Sequence, residues 1–283
     1  MRKQILATIY SMGWQRDIPD IRDYHPEHEK IITLLKNSKA IKNAKVTLNN
    51  SVDLSDYCSP IENQGDIGSC TAHAGVGLIE YYENRAFRHF INASRIFLYK
   101  TTRNLLGWNG DTGAWLRTTM QAMILFGVPP ERYLPYVESK YDEEPSSFCY
   151  SFASNYQTLS YYRLDSHNIS GSRLLNRIKK FLHAGYPSMF GFTIYNFGND
   201  KGELKFPGPD DPVQGGHAVI AIGYDDNRKI DKDKGALKIR NSWGKDWGEA
   251  GYGWLPYKYI EAGLAVDFWC LFKKEYVDTN RFE

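Results

Sequence analysis

The spacing of apolar residues changes once along this chain of 283 residues, and that change restricts the fold more than any other feature. Up to about residue 184, apolar side chains recur every three or four residues, which predicts helices over residues 72–85, 93–104, 115–126 and 171–184. Beyond residue 188 the apolar runs are short and rich in β-branched and aromatic residues, which predicts strands over residues 189–194, 217–224, 236–240, 252–256 and 266–272. Residues 225–234 are the most loop-like stretch and predict a surface turn. A helical half followed by a β half predicts an α+β fold with a cleft between two packed lobes.

The first 46 residues, named the N-terminal segment below, differ from the rest in charge and pattern. They carry nine Lys or Arg against five Asp or Glu, whereas the remainder carries 26 against 28. Residues 13–25 have no sustained period and predict extended chain that lies on another part of the molecule. From Pro26 to about Lys39, acidic residues in the first turn and one apolar face predict a short amphipathic helix. The segment is either a basic flap on a mildly acidic body or a solvated helix.

Composition excludes several classes of function. The net charge of +2 gives no reason to expect nucleic acid or an anionic membrane as a partner, and no apolar run is long enough for a spanning helix. The four cysteines show neither a CxxC pair nor a zinc-like spacing, so neither a metal nor another cofactor is predicted. If Cys70 is a working thiol, the remaining cysteines can form at most one disulfide; they are Cys58, Cys149 and Cys270.

A candidate nucleophile lies in residues 64–70, which follow a strand-like or extended stretch over residues 52–61. Cys70 directly precedes an apolar helical run, and the dipole at a helix N-terminus stabilises a thiolate and lowers the pKa of the thiol. Gln64 lies six residues earlier, where its side-chain amide and the Cys70 backbone N–H would form a two-donor oxyanion hole. The same stretch also fits a cysteine that is only a small buried hydrophobe, and it does not decide between the two.

Two later motifs supply the partners that such a nucleophile needs. His217 follows two glycines at the start of a predicted strand, where it suits a general base. The side-chain oxygen of Asn241 can fix the tautomer and ring plane of a histidine, and a neighbouring tryptophan would shield that bond from water. Alone, this asparagine fits a turn cap among core tryptophans better. His73 lies within the predicted helix and is expected to pack away from the cleft.

In this order, the three elements resemble the motifs of the papain-like cysteine peptidases. Residues 64–70 are similar to the family's QG…GSC motif, residues 216–218 to its strand-opening histidine, and residues 241–253 to its NSWG..WG..GY motif. Shorter matches to its substrate loop, helix end and Pro-Tyr element lie at residues 109–110, 127–128 and 134–136. The resemblance runs from about residue 52 to the C-terminus. It implies a peptidase domain over residues 47–283, with a mainly helical lobe at about 65–150 and an antiparallel, barrel-like β lobe at about 155–283.

The resemblance also implies a role for each functional position. Cys70 is the nucleophile, His217 its base and later acid, Asn241 the residue that orients the histidine, and Gln64 the oxyanion donor. The implied substrate-binding residues are Gly110, Gly113, Gly216 and Trp243, and either of the first two glycines supplies the backbone that pairs with substrate. The implied activity is hydrolysis of a peptide or protein substrate by a thiol peptidase without a cofactor. We expect a monomer that is secreted or periplasmic.

The chain departs from the family pattern at several positions. Thr71 replaces the aromatic residue after the nucleophile, so a smaller wall is expected on the primed side. Ile67 and Trp108 stand where the family has a disulfide, so an apolar contact could replace that bridge. Gly216 replaces the Asp that precedes the histidine in many relatives, which removes a charge near the base. The sequence around Cys70 and in the N-terminal segment looks more like the bacterial branch of the family.

The N-terminal segment is shorter than the family's usual helical pro-region and lacks its signature. Its position, amphipathic helix and opposite charge lead to the hypothesis that it folds against the cleft and restrains a zymogen until it is removed. Two other functions fit the same residues. One is a binding protein that kept the fold and lost activity, which the complete set of four catalytic positions argues against. The other is a thiol acyltransferase.

Overall fold

The computed structural model describes residues 10–37, 47–158, 160–166 and 168–272. Their α-helices are α1 (Glu29–Asn37), α2 (Cys70–Phe87), α3 (Arg95–Leu106), α4 (Leu116–Leu125), α5 (Ser147–Ala153), α6 (Gly171–His183) and α7 (Lys258–Glu261). Their strands are β1 (Ser51–Asp53), β2 (Ser160–Arg163), β3 (Ser188–Ile194), β4 (Gly215–Ile230), β5 (Asp233–Arg240), β6 (Tyr252–Pro256) and β7 (Ala265–Phe272). Short 3₁₀ helices cover Ser55–Tyr57, Glu131–Tyr133, Glu138–Lys140 and Ser154–Tyr156. Within these ranges, no helix is both long and apolar enough to cross a membrane.

The seven strands form one antiparallel sheet in the order β2-β7-β3-β4-β5-β6, with β1 paired to β4. All five strands predicted beyond residue 188 are present, and β3 is buried along nearly its whole length. The sheet does not close on itself, so the β lobe is barrel-like only in a loose sense. The α+β fold class is confirmed.

The connection between β4 and β5 differs from the prediction. The predicted surface turn is confined to residues 231–232, because β4 continues to Ile230 and β5 begins at Asp233. The turn between them is tight, and Asp231 takes a φ of 52°. The pairing shifts register between Asp225 and Lys229, so several polar side chains of this stretch stay partly or fully exposed while their backbone remains in the sheet. Backbone pairing of polar residues leaves no apolar pattern to read, which is why the sequence predicts a loop here.

α2 lies at the centre of the helical half. Its residues from Cys70 to Glu83 are all buried, because it packs against α3, α4 and the strands β3 and β4. The close approach to the sheet needs Gly77, where an added Cβ would lie 2.6 Å from the Ile220 side chain. This packing brings the N-terminus of α2 to the start of β4 and the end of β5.

The four predicted helices beyond residue 70 are confirmed within a few residues at each end. The predicted helix in the N-terminal segment begins three residues late, at Glu29, because His28 closes a turn on His25. α1 buries Ile31 and Leu35, as its apolar face predicts. The predicted helix end at Lys39 lies outside the described residues.

Candidate active site

Cys70 is the first residue of α2, as predicted, and its side chain is fully buried. The loop before it is held from two sides. The Gln64 backbone N–H donates to Ser242 O at 2.8 Å, and the Gly68 N–H donates to both carboxylate oxygens of Asp111 at 2.9 and 3.1 Å. The backbone N–H of Ala218 reaches the thiol, so the sulfur lies beside the start of β4.

Neighbouring strands bring His217 and Asn241 together, because β4 begins just before His217 and β5 ends just before Asn241. His217 Nε2 lies 2.7 Å from Asn241 Oδ1, and the same oxygen accepts the Ser242 backbone N–H at 2.8 Å. Only an oxygen can accept that N–H, so Nε2 carries the ring proton and Nδ1 carries a lone pair. Among the residues that the structure describes, buried Nδ1 has no hydrogen-bond partner. The imidazole is therefore held as a base with one free nitrogen.

The Trp243 ring covers the imidazole. The two ring centroids are 4.3 Å apart and the planes differ by 22°, a stacked arrangement. His217 is fully buried beneath it. The tryptophan thus keeps water from the bond between His217 and Asn241, which makes that bond stronger than it would be in water.

The side-chain amide of Gln64 is fixed at both ends. Its Oε1 accepts the Ser242 hydroxyl at 2.6 Å, while its Nε2 donates to Ile67 O at 3.0 Å and to Ser11 O at 3.1 Å. The donor nitrogen thus faces the cleft and already contacts a carbonyl of the N-terminal segment. Gln64 has no exposed surface.

Residues 10–17 of the N-terminal segment run as extended chain through this cleft. At one end, Tyr10 stacks on Trp243 at 4.5 Å, and Ser11 O accepts Trp243 Nε1 at 3.2 Å. Next, the Ala114 backbone N–H donates to Gly13 O at 2.8 Å and the Trp14 N–H donates to Gly216 O at 3.1 Å. Of the extended chain predicted over residues 13–25, residues 13–17 lie on the cleft, whereas residues 20–23 form a turn in which the Asp23 N–H donates to Asp20 O at 3.0 Å.

The Trp14 side chain fills a pocket of the β lobe. An added Cβ at Gly191 would lie 1.9 Å from the indole, so only a glycine there leaves room for the ring. The indole Nε1 donates to Asp267 Oδ2 at 3.2 Å, and the Asp17 backbone N–H donates to the same oxygen at 3.2 Å. Trp14 keeps 7% of its surface exposed.

Burial controls the ionisation of both reactive groups. It raises the pKa of the Cys70 thiol to about 11, although backbone N–H groups, first that of Ala218, lower it in part. It lowers the pKa of His217 to about 4, against the hydrogen bond to Asn241. The predicted fall in the thiol pKa is therefore wrong for this covered form, because desolvation outweighs the helix start and the N–H donors. At neutral pH both groups are uncharged.

The predicted substrate-binding residues do not all meet the N-terminal segment. An added Cβ at Gly113 would lie 2.0 Å from Gly13 O, and one at Gly216 would lie 2.4 Å from Trp14 O. Gly110 has a φ of 81° and open space where a Cβ would stand. Gly113 is thus the glycine that borders the occupied cleft, and the adjacent Ala114 provides the backbone hydrogen bonds.

Several contributing residues were not singled out from the sequence. Ser242 holds two amides at once, and its place within the NSWG motif was the available signal. Asp111 and Asp267 are single acidic residues in ordinary surroundings, and no local pattern marks either. His73 is buried, its Nδ1 lies 3.1 Å from Ser69 O and its ring packs edge-on against Tyr136, which agrees with the packing role.

All four cysteines lie within the described residues and are free thiols. No group of three or more His, Cys, Asp or Glu within those ranges is placed to hold a metal ion.

Known proteins share both this sequence pattern and this fold. The model of the papain family of cysteine proteases matches residues 48–268. A peptidase C1-like protein of Acanthamoeba polyphaga mimivirus is 29% identical over 283 residues, which cover 92% of this chain and 86% of that protein. Zingipain-2 of Zingiber officinale is 26% identical over 197 residues, which cover 68% of this chain and 80% of that protein.

Among solved structures, xylellain, a cysteine protease from Xylella fastidiosa, superposes with a TM-score of 0.76 at 32% identity, covering 93% of this chain and 96% of that one. This neighbour is consistent with the bacterial-type branch. The family model alone spans well over half of the chain. The chain belongs to the papain family of cysteine proteases.

Proposed function

We propose that this cysteine peptidase uses Cys70 as nucleophile, His217 as general base and later acid, Asn241 to orient the imidazole, and Gln64 as an oxyanion donor. The observation that carries the proposal is the orientation of His217. Its Nε2 is bound to Asn241, and its free Nδ1 lies on the residue next to Ala218, whose N–H reaches the thiol. A base with one nitrogen tied and the other free beside a thiol is what nucleophilic catalysis requires.

The chemistry takes two steps. In the first, His217 Nδ1 takes the proton of Cys70, the sulfur bonds to the substrate carbonyl carbon, and the imidazolium gives its proton to the leaving amine as the C–N bond breaks. In the second, His217 takes a proton from water, the resulting hydroxide adds to the thioester, and the C–S bond breaks as the imidazolium returns that proton to the sulfur. The products are an amine, a carboxylic acid and the regenerated thiol.

The contact between Gln64 and Ser11 supports the oxyanion role. Each tetrahedral intermediate carries a negative oxygen, which is stabilised by N–H groups already aimed at its position. Gln64 Nε2 donates to a carbonyl oxygen of extended chain in the cleft at 3.1 Å, and Ser242 prevents the amide from turning. A substrate carbonyl in the same place would meet the same donor.

We also propose that the N-terminal segment, residues 1–46, restrains the domain formed by residues 47–283. Residues 10–17 cover Cys70 and Gln64, which have no exposed surface. Their backbone forms hydrogen bonds to Ala114 and to Gly216, and Gly216 directly precedes the base His217. Burial also keeps the thiol protonated, so the covered form lacks both access and a thiolate.

The test measures turnover of a fluorogenic peptide by the intact chain and by the chain after limited proteolysis has removed the N-terminal segment. We expect trimming to raise turnover at least tenfold, since it exposes the thiol and lowers its pKa. A thiol-directed epoxide should label the trimmed chain at Cys70, and Cys70→Ala should abolish both labelling and hydrolysis. Cys58→Ala is the matched control, because Cys58 is a free thiol outside the cleft.

Two outcomes contradict these proposals separately. If the trimmed chain neither labels at Cys70 nor cleaves peptide, the peptidase assignment of these residues fails. If the intact and the trimmed chain turn over peptide at the same rate with an unchanged fold, restraint fails. Mass spectrometry of the products distinguishes hydrolysis from transfer of the acyl group to an added amine.

A further inference from the structure

Arg117 binds the N-terminal segment through its whole guanidinium group. Its Nε donates to Asp23 Oδ1 at 2.8 Å and its Nη2 to Asp23 Oδ2 at 2.7 Å, a two-bond contact. Its Nη2 also donates to Ile18 O at 2.8 Å, and its Nη1 bonds to Asp17. Only 14% of the Arg117 side chain is exposed with the segment in place.

The neighbouring Arg163 shows how a structural arginine in this region is held. Within the peptidase domain it forms two bonds of 3.0 Å to Asp165 and one ion pair of 2.6 Å to Asp267, and its contact with Asp23 of the segment is longer, at 3.6 Å. Arg163 would keep both carboxylates after the segment leaves. Arg117 differs, because its hydrogen bonds and ion pairs among the described residues all go to residues 17, 18 and 23. Inside the domain its guanidinium lies over the Trp269 ring, 5.6 Å from the centroid.

The position of Arg117 within α4 does not stabilise its positive charge. α4 begins at Leu116, so Arg117 lies in the first turn, where the helix dipole disfavours a positive charge. The hydrogen bonds and ion pairs of the guanidinium group must therefore stabilise an arginine at this position. Among the described residues, the carboxylates that pair with Arg117 are Asp17 and Asp23. Removal of the segment would therefore leave the Arg117 cation without these partners.

Arg117 also lies in line with the cleft. Ser11 contacts Trp243 at one end, Gly13 contacts Ala114 in the middle, and Asp17 reaches Arg117 at the other end. The segment thus passes the reacting groups before it reaches the guanidinium. A substrate in extended conformation along Ala114 would present a side chain to Arg117 a few residues from the bond to be cut.

We propose that Arg117 is a substrate subsite for a carboxylate side chain, which Asp17 and Asp23 occupy in the covered form. The enzyme then prefers peptides with Asp or Glu on the side of the scissile bond that binds along residues 113–117. This proposal rests on the peptidase function proposed above. Its chemistry is the paired hydrogen bonding of guanidinium to carboxylate, which a neutral amide of the same shape reproduces poorly.

The test compares trimmed enzyme on peptides that differ only in Asp against Asn, with the pair placed in turn at each of four positions on either side of the scissile bond. We expect kcat/KM to favour Asp by about tenfold at one position in dilute buffer, and by less as salt is added. Arg117→Gln should reduce that ratio to about one, chiefly through a lower kcat/KM for the Asp peptide. Arg117→Lys should keep part of the preference. Arg132→Gln, an exposed arginine on Tyr133, is the matched control and should leave the ratio as in wild type.

A binding experiment separates this subsite from the catalytic assignment. Trimmed Cys70→Ala protein should bind the Asp peptide about tenfold more tightly than the Asn peptide, whether or not the wild type cleaves either. An Asp-to-Asn ratio below two at every position in both experiments overturns the subsite. A preference for Asp that persists in Arg117→Gln also overturns the subsite. The proposal fails as well if Arg117→Gln changes only the inhibition by an added peptide of residues 10–25, because Arg117 would then be a docking residue for the segment alone.

Discussion

At the scale of single residues, one serine fixes both amides of the site. The Ser242 backbone N–H holds Asn241 Oδ1, and its hydroxyl holds Gln64 Oε1. Each contact occupies an amide oxygen, so the oxygen of Asn241 faces the imidazole and the nitrogen of Gln64 faces the cleft. Ser242 therefore sets the direction in which two neighbouring residues act.

Substitution of this serine and of Gln64 should separate the two contacts. Gln64→Ala removes a donor to the oxyanion, so we expect kcat of the trimmed enzyme to fall by about 10²–10³ with little change in KM. Ser242→Ala keeps the backbone N–H on Asn241 and only frees the Gln64 amide to turn, so a loss of about tenfold is expected. Steady-state kinetics on one fluorogenic peptide measures both.

The double variant provides the internal check. If Ser242 acts through Gln64, Gln64→Ala combined with Ser242→Ala should be no slower than Gln64→Ala alone. Ser242→Thr keeps a hydroxyl and should recover most of the activity. Wild-type kcat in Gln64→Ala would remove Gln64 from the oxyanion hole.

At the scale of elements, a polar chain joins the nucleophile loop to the loop that borders the cleft. The Gly68 N–H donates to Asp111, the Tyr99 hydroxyl donates to Asp111 at 2.5 Å, and the Gly113 N–H donates to Tyr99 at 3.0 Å. Asp111 and Tyr99 thus tie the same two loops that a disulfide joins in the family pattern. The resemblance places that disulfide at Ile67 and Trp108. In this protein, hydrogen bonds a few residues away join the two loops instead.

Loss of these hydrogen bonds should change the position of the nucleophile relative to the bound substrate. Asp111→Ala frees two donors at once, so we expect kcat/KM of the trimmed enzyme to fall about tenfold, through both kcat and KM. Tyr99→Phe breaks the same chain and should cost a similar factor. Because both act on one chain, the double variant should lose much less than the product of the single losses, with a coupling of about 1 kcal/mol.

Asp111→Asn is the matched control for this prediction, since the amide oxygen can still accept the Gly68 N–H. Losses that multiply in the double variant would show that Asp111 and Tyr99 act independently. An unchanged kcat in Asp111→Ala, Tyr99→Phe and the double variant would mean that these hydrogen bonds serve only folding. Thermal unfolding would then show the loss of stability.

The sequence predicts most elements of the fold and the candidate site, and fails for identifiable physical reasons. Periodicity finds the helices α2, α3, α4 and α6 and the strands β3 to β7, because each buries an apolar face, but it misses the short elements α5, α7 and β2. It misses the far part of the β4–β5 hairpin, whose residues are polar and held by backbone pairing. Motif spacing finds Cys70, His217, Asn241 and Gln64. It misses Asp111 and Tyr99, because a contact across the fold leaves no trace in local sequence.

At the scale of the whole molecule, the N-terminal segment and the peptidase domain share one network of charges. Asp17 and Asp23 of the segment meet Arg117 of α4, and Asp23 also lies 3.6 Å from Arg163. Arg163 in turn binds Asp267, which holds the Trp14 indole. The sequence indicates that the segment lies on the domain, but the charge balance of residues 1–46 points to its basic residues, whereas the described contacts use its acidic ones.

The buried carboxyl at the centre of this network makes stability depend on pH. Burial, together with the nearby Asp165, raises the pKa of Asp267 from 3.8 to about 6, although Arg163 opposes the shift. Below about pH 3 this group is protonated in both the folded and the unfolded chain. As pH rises from 3 to 7, the unfolded chain releases the proton first, so the folded state loses about 3 kcal/mol relative to the unfolded state, about 2 kcal/mol of it between pH 4 and pH 6.

Replacement of this carboxyl by an amide should remove that loss. We expect the free energy of unfolding of Asp267→Asn, measured by urea denaturation of the intact chain, to rise relative to wild type by about 2–3 kcal/mol between pH 4 and pH 7. The comparison uses the change with pH, since the amide also alters the contacts with Arg163 and Trp14 at every pH. Asp246→Asn, an exposed carboxyl in the turn after β5, should follow the wild-type curve. Parallel curves for wild type and Asp267→Asn would mean that Asp267 is already ionised at pH 4, and that Arg163 rather than burial controls its charge.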